Sequence, residues 1–73
     1  MEERIISRRE EALWHPTRQA LLGLLGESEM TTRELRDRLA DEPSLSDVVY
    51  HLAVLRAVGI VDGPVQGRYR RTS

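Results

Sequence analysis

Three arginines, Arg68, Arg70 and Arg71, surround Tyr69 near the carboxyl end of the chain, and residues 64–73 contain no acid to offset them. A guanidinium is a planar fork of donors that meets a phosphate bidentately. With Gly63 and Gly67 permitting a tight loop beside it, the cluster suits contact with a nucleic-acid backbone or a narrow minor groove. It equally suits a charged edge strand that resists aggregation. A second set is spaced for a helix. Ser46, Tyr50, Ala53 and Ala57 share one side of a 3.6-residue wheel, opposite Val48, Leu52 and Leu55, with Asp47 and Val49 on the flanks. In a major groove Ser46 could donate or accept, Tyr50 could reach a phosphate or pack on a thymine methyl, and Asp47 could accept from a cytosine amino group. Outside a groove the same face is simply solvated, and Asp47 is a helix-start charge. Thr31, Thr32 and Arg33 form a third set at the start of another helix, where backbone amides can hold a phosphate or the threonines only cap.

Other chemistries are poorly supported. His15 and His51 have no carboxylate or second ligand at a matching local spacing, so structural roles are expected for both. The chain has no cysteine, which excludes a disulfide framework and any thiolate metal site. No nucleophile motif, phosphate loop or paired-carboxylate signature occurs. The expectation is therefore no enzyme, no metal and no cofactor.

A length of 73 residues implies one small domain over residues 1–73, too small for a large catalytic cleft. The net charge of −1 weighs against a nucleic-acid binder until its distribution is considered. Residues 1–30 carry four arginines against six glutamates, whereas the carboxyl end is basic. All basic residues are Arg, which fits GC-rich coding as well as phosphate binding. No apolar run approaches the roughly 18 residues of a membrane span, and the start, MEERIISRREEALW, is charged where a secretory signal is apolar. An unprocessed cytoplasmic protein is expected.

These residues need scaffolding, and the pattern supplies it. Ile5, Ile6, Ala12 and Leu13 line one face of a helix from about Glu2 to Trp14, its acids Glu2, Glu3, Glu10 and Glu11 forming a solvated face. Pro16 opens a second helix, with Thr17, Leu21, Leu24 and Leu25 inward and Leu22 flanking, ended by Gly26. Met30 is briefly extended. Thr31 and Glu34 make a capping box for a third helix carrying Leu35 and Leu39 inward. Asp41-Glu42-Pro43 is a turn, and Ser44 caps a fourth helix ended by Gly59. Ile60-Val61-Asp62 reads as a strand, 63–67 as a hairpin loop and Arg68 to Thr72 as the returning strand. The fold class is mainly α with a small β-hairpin: a winged helix-turn-helix of four helices followed by a two-stranded wing. Its parts are an amino-terminal helix over 1–14, a helix-turn-helix over 31–58 and a wing over 60–72.

His15-Pro16-Thr17-Arg18 before Leu21-Leu22-Gly23-Leu24-Leu25, then Thr32-Arg33-Glu34-Leu35, then Tyr50-His51-Leu52-Ala53-Val54-Leu55 and Gly59-Ile60-Val61 together resemble the ArsR-like winged-helix family over roughly residues 12–72. The resemblance implies a bacterial-type, usually dimeric regulator of repressor type that binds double-stranded DNA, with residues 44–58 as recognition helix in the major groove and the wing, residues 60–72, on the backbone or minor groove. The DNA-binding residues so expected are Thr32, Arg33, Ser44, Ser46, Asp47, Val49, Tyr50, Ala53, Arg68, Arg70 and Arg71. Metal-sensing members carry paired cysteines on the helix corresponding to residues 34–39; this chain has none there, which excludes thiolate sensing of arsenic, cadmium or lead. Members commonly add a helix after the wing, whereas this sequence reaches Ser73 directly after the hairpin. A homodimer is therefore expected through the first helix, using Ile5, Ile6 and Leu13. The rival expectation is a winged helix that binds protein, docking through helix one or the Ala53 and Ala57 face.

Overall fold

His15 and Pro16 decide where the second helix begins. In the computed structural model, which describes residues 8–72, helix α1 (Arg8–Leu13) ends and His15 takes an extended backbone at φ −92° and ψ 128°. A residue before proline is pushed there by the pyrrolidine ring. Helix α2 (Pro16–Leu25) then starts with proline in its first turn, where no amide donor is missed. His15 is its cap, Nδ1 accepting from the Thr17 amide at 3.1 Å. Residues 2–7 of the expected first helix, Ile5 and Ile6 among them, lie outside the described residues.

The inward face of α2 is Leu21, Leu22 and Leu25, with Leu24 only partly buried, so Leu22 and Leu24 exchange the positions expected of them. Both α1 and α3 pack on this helix, and the wider cover shifts the buried arc by part of a turn. Gly26 ends α2 in a right-handed conformation, φ −68°.

Thr31 and Glu34 form the expected capping box of α3 (Thr32–Arg38). The Glu34 amide donates to Thr31 Oγ1 at 3.1 Å, and the Thr31 amide donates to Glu34 Oε1 at 2.8 Å. The turn to the next helix centres on Ala40 and Asp41, closed by the Glu42 amide on the Leu39 carbonyl at 3.2 Å. It thus falls slightly before the expected Asp41-Glu42-Pro43. Ser44 caps α4 (Leu45–Ala57), its Oγ accepting from the Asp47 amide at 3.1 Å. At the far end the Ile60 amide reaches the Leu55 carbonyl and the Gly59 amide the Arg56 carbonyl, both at 3.0 Å, a Schellman closure with Gly59 at φ 81°.

Two expectations for the hairpin require correction. Strand β2 is Val61–Val65, continuing through the stretch expected to be loop, and the turn to β3 (Arg68–Arg71) is only Gln66 and Gly67. Both turn residues have positive φ, 53° and 80°, the hand that matches the twist of paired strands. Asp62 pairs with Arg70 and Val65 with Arg68, which leaves one extra residue in β2, a bulge at Gly63-Pro64. Nor is the sheet two-stranded. Met30–Thr31 forms β1, and the order is β1-β3-β2, all antiparallel. Met30 lies opposite Tyr69, and both are buried. The short strand exists because it covers the edge of β3 while completing the core.

That core joins Ala12, Leu21, Leu25, Met30, Leu35, Val48, Leu52, Leu55, Val61 and Tyr69, so each described element contributes at least one side chain. No polar or charged residue among the described residues is buried. The charged side chains described lie at or near the surface, with Arg18 and His51 partly buried.

Candidate nucleic-acid interface

Helix α4 buries Val48, Leu52 and Leu55 completely and turns Ser46, Asp47, Val49, Tyr50 and Ala53 outward. The exposure is large for apolar groups: Val49 keeps 47% of its surface and Tyr50 59%. A pair of sizeable apolar side chains held out from a helix invites a partner surface. Ser44 precedes this face, its hydroxyl already engaged as the cap.

The other expected residues divide into two places. Thr31 lies opposite Arg68 across β1 and β3, which brings Thr32 and Arg33, at the start of α3, beside the turn end of the hairpin. Glu34 joins them: its carboxylate, already in the capping box, lies 3.7 Å from Arg68 Nη1. The Thr31 amide and then the Arg68 guanidinium hold that carboxyl below the usual carboxylate range. Arg70 pairs with Asp62 across the hairpin at 3.3 Å. Arg68 and Arg70 alternate with buried Tyr69 and so share one face, whereas Arg71 falls on the other side, its Nη1 close to Gly26 at the end of α2. The three arginines are not one row.

Arg33 and Arg71 make no ion pair among the described residues, while Arg68 and Arg70 do. Pairing does not remove the last two from consideration. Exposed ion pairs are worth about 0–1 kcal/mol, less than a charge-assisted contact to phosphate returns at about 1.5–3 kcal/mol. Arg56, from the last turn of α4, donates to the Gly63 carbonyl at 3.0 Å and ties the bulge to that helix. The hairpin is thereby positioned relative to α4 by a side chain the sequence did not single out.

A second cluster was also not legible in the sequence. The rings of His15 and His51 lie 4.4 Å apart between centroids, and Arg18 Nε donates to His51 Nδ1 at 3.0 Å. Arg18 Nη1 also reaches the Ala12 carbonyl at 3.4 Å, and its Cζ sits 6.0 Å from the Tyr50 ring centroid, at the limit of a cation–π contact. Tyr50 meets His51 edge-on at 5.3 Å. Arg18 and His51 are 33 residues apart, so local spacing could not reveal the bond. One signal was available: an arginine in the first turn of a helix faces the positive end of the helix dipole and calls for a compensating partner. Burial holds His51 below the ordinary histidine range, with neighbouring His15 and Arg18 adding to the effect and Asp47 opposing it. Its Nδ1 accepts a hydrogen bond, so the neutral ring carries its proton on Nε2.

Leu13, expected at a dimer contact, is partly buried against the core of its own chain. No group of three or more His, Cys, Asp or Glu among the described residues is placed to hold a metal. No helix among them is long and apolar enough to cross a membrane. A family profile described as a helix-turn-helix domain matches residues 13–64, from the end of α1 into β2. No curated protein and no solved structure matches the chain.

Proposed function

The chain belongs to the helix-turn-helix domain family, and from that premise we propose that it is a sequence-specific regulator of transcription on double-stranded DNA, a winged helix of the ArsR-like type acting as a repressor by occluding a promoter. In this reading α4 enters the major groove, and the β2–β3 hairpin is the wing lying on the backbone. The observation that carries the reading is the outward face of α4. Ser46, Asp47, Val49, Tyr50 and Ala53 are all exposed on the helix that follows the short turn of the matched domain. Thr32 and Arg33 at the start of α3, with Arg68 and Arg70 on the hairpin, supply phosphate contacts, and Arg71 reaches the backbone from the opposite face. The whole of residues 1–73 serves as one DNA-binding domain working in the cytoplasm, with no catalytic role.

Phosphate contacts set affinity and base contacts set specificity, so the two parts should fail differently. Replacing Arg68 and Arg70 together by Ala should weaken binding to preferred and random duplexes alike and flatten the salt dependence by about one unit of log–log slope per lost contact. Replacing Tyr50 by Ala should instead lower the ratio of preferred to random affinity, by about 1–3 kcal/mol if the ring touches a base edge. Fluorescence anisotropy with both duplexes at low and moderate salt reads both effects. A hairpin variant that binds random DNA as tightly as the parent would remove the hairpin from the interface.

A second reading is a winged helix that binds protein. It is favoured by the acidic balance and by the ion pairs of Arg68 and Arg70 with Glu34 and Asp62. Trp14 and Val65, exposed at 64% and 62%, offer apolar contacts for such a partner. In the anisotropy experiment, absence of duplex binding at tens of micromolar protein selects this reading.

A homodimer through the first helix would set two α4 helices about one DNA turn apart and read a palindrome. Ile5 and Ile6 are its proposed contacts, with Leu13 at the margin. Sedimentation should show a mass rising toward twice that of the chain as concentration increases to hundreds of micromolar. A constant monomer mass rules the dimer out.

A further inference from the structure

We infer that Arg18 is a positioning residue for sequence recognition: through neutral His51 it holds the Tyr50 ring in place on the outer face of α4, and protonation of His51 releases it. The inference rests on the DNA-binding reading above and assigns a role to a cluster that reading leaves unused.

The geometry is a chain of contacts across three helices. Arg18, on α2, is anchored to the Ala12 carbonyl of α1 by Nη1 and to His51 Nδ1 of α4 by Nε. Its guanidinium carbon and the edge-on His51 ring approach one another around Tyr50, 6.0 and 5.3 Å from its centroid. Tyr50 is otherwise open to solvent. An exposed aromatic side chain with no support must be ordered at the moment of binding, whereas one held beforehand is not penalised again.

The link depends on one protonation state. His51 Nδ1 can accept from Arg18 only while it carries no proton. A proton there places two donors face to face and brings a second cation against the guanidinium. The groups around His51 are His15, the cap before α2, Arg18 from α2, Asp47 one turn earlier on its own helix, and Tyr50 beside it; Glu11 of α1 lines a shallow hollow together with Arg18. Of these only Asp47 favours the proton at His51. Because the folded-state pKa is lowered, the unfolded chain binds the proton more readily, and stability is lost as pH falls below about 6.5. The recognition effect must therefore be read on protein shown to be folded.

The test uses the full chain with two duplexes: one selected from a randomised pool by the parent protein, and a scrambled duplex of the same composition. Affinities are measured from pH 5.5 to 8.0 with circular dichroism at each pH. The parent's selected-to-scrambled ratio should hold while the His51 ring is neutral and fall about two- to tenfold as it takes up its proton, the cost of immobilising one freed side chain. NMR of the His51 imidazole on the same samples follows that protonation. Arg18→Met should show the reduced ratio at every pH. His51→Asn presents an amide oxygen near the place of Nδ1 and cannot be protonated, so it should keep most of the parent's ratio and lose its pH dependence. A parent ratio that stays flat across the observed His51 titration, or a His51→Asn profile that follows the parent's fall, overturns the inference while DNA binding stands. Failure of the parent to bind either duplex overturns both.

Discussion

Replacing Leu52 by Ala is expected to bring the protein to the edge of unfolding at 25 °C. Leu52 is completely buried at the centre of α4, between Val48 and Leu55. Truncating such a residue removes its transfer free energy and leaves a cavity that neighbours fill only in part, at a cost of about 3–5 kcal/mol. A chain of 73 residues has a total stability of about 4–11 kcal/mol on the usual scale of 0.05–0.15 kcal/mol per residue. The loss is thus comparable with the whole, and no disulfide limits it, since the chain has no cysteine. Urea unfolding followed by circular dichroism gives the number. A loss below about 1 kcal/mol would mean that α4 does not pack on this face, and Tyr50 would then lose its outward assignment.

The second large effect is expected at Gly63. Its φ is 120°, a region L side chains rarely adopt, and a Cβ placed there would stand 2.7 Å from the Arg68 carbonyl oxygen and 3.2 Å from Tyr69 Cα. Both are backbone atoms of the paired strand and cannot swing aside. Gly63→Ala combines backbone strain of about 1–3 kcal/mol with an overpacking cost of similar size. Strand β3 would feel the change directly, and its Tyr69 is part of the core. Gly67→Ala is the control: φ is also positive, at 80°, but nothing lies within 4 Å of the added Cβ. It should cost only about 1–2 kcal/mol, the ordinary penalty for a left-handed L residue. Equal losses at the two positions in urea unfolding would show that the close approach in the bulge does not govern this hairpin.

Helix starts were legible because they are local chemistry. Pro16 opens a helix where no amide donor is missed, and the Thr31 and Glu34 pair and Ser44 before Asp47 satisfy amides within three residues. The outward set on α4 was legible for a related reason: a helical period needs only the identities of Val48, Leu52 and Leu55 to divide one side from the other. The hairpin was less so. Gly63-Pro64 carries strong loop signals, yet the strand runs through it, because a bulge accommodates a glycine and a proline that a regular ladder would not.

The number and order of the helices from Pro16 onward, the caps of α3 and α4, most of the buried faces and a basic hairpin after α4 could all be read from residue order alone. These follow from bonds and periods that span a few residues. Which distant groups meet emerged only with packing: Met30 with Tyr69 to make a third strand, Glu34 with Arg68, Arg56 with the bulge, and Arg18 with His51 beside Tyr50. Each of these pairs is settled by how the helices and sheet pack around one shared core. Such packing reflects the summed shapes of many side chains, and no local spacing along the chain encodes it.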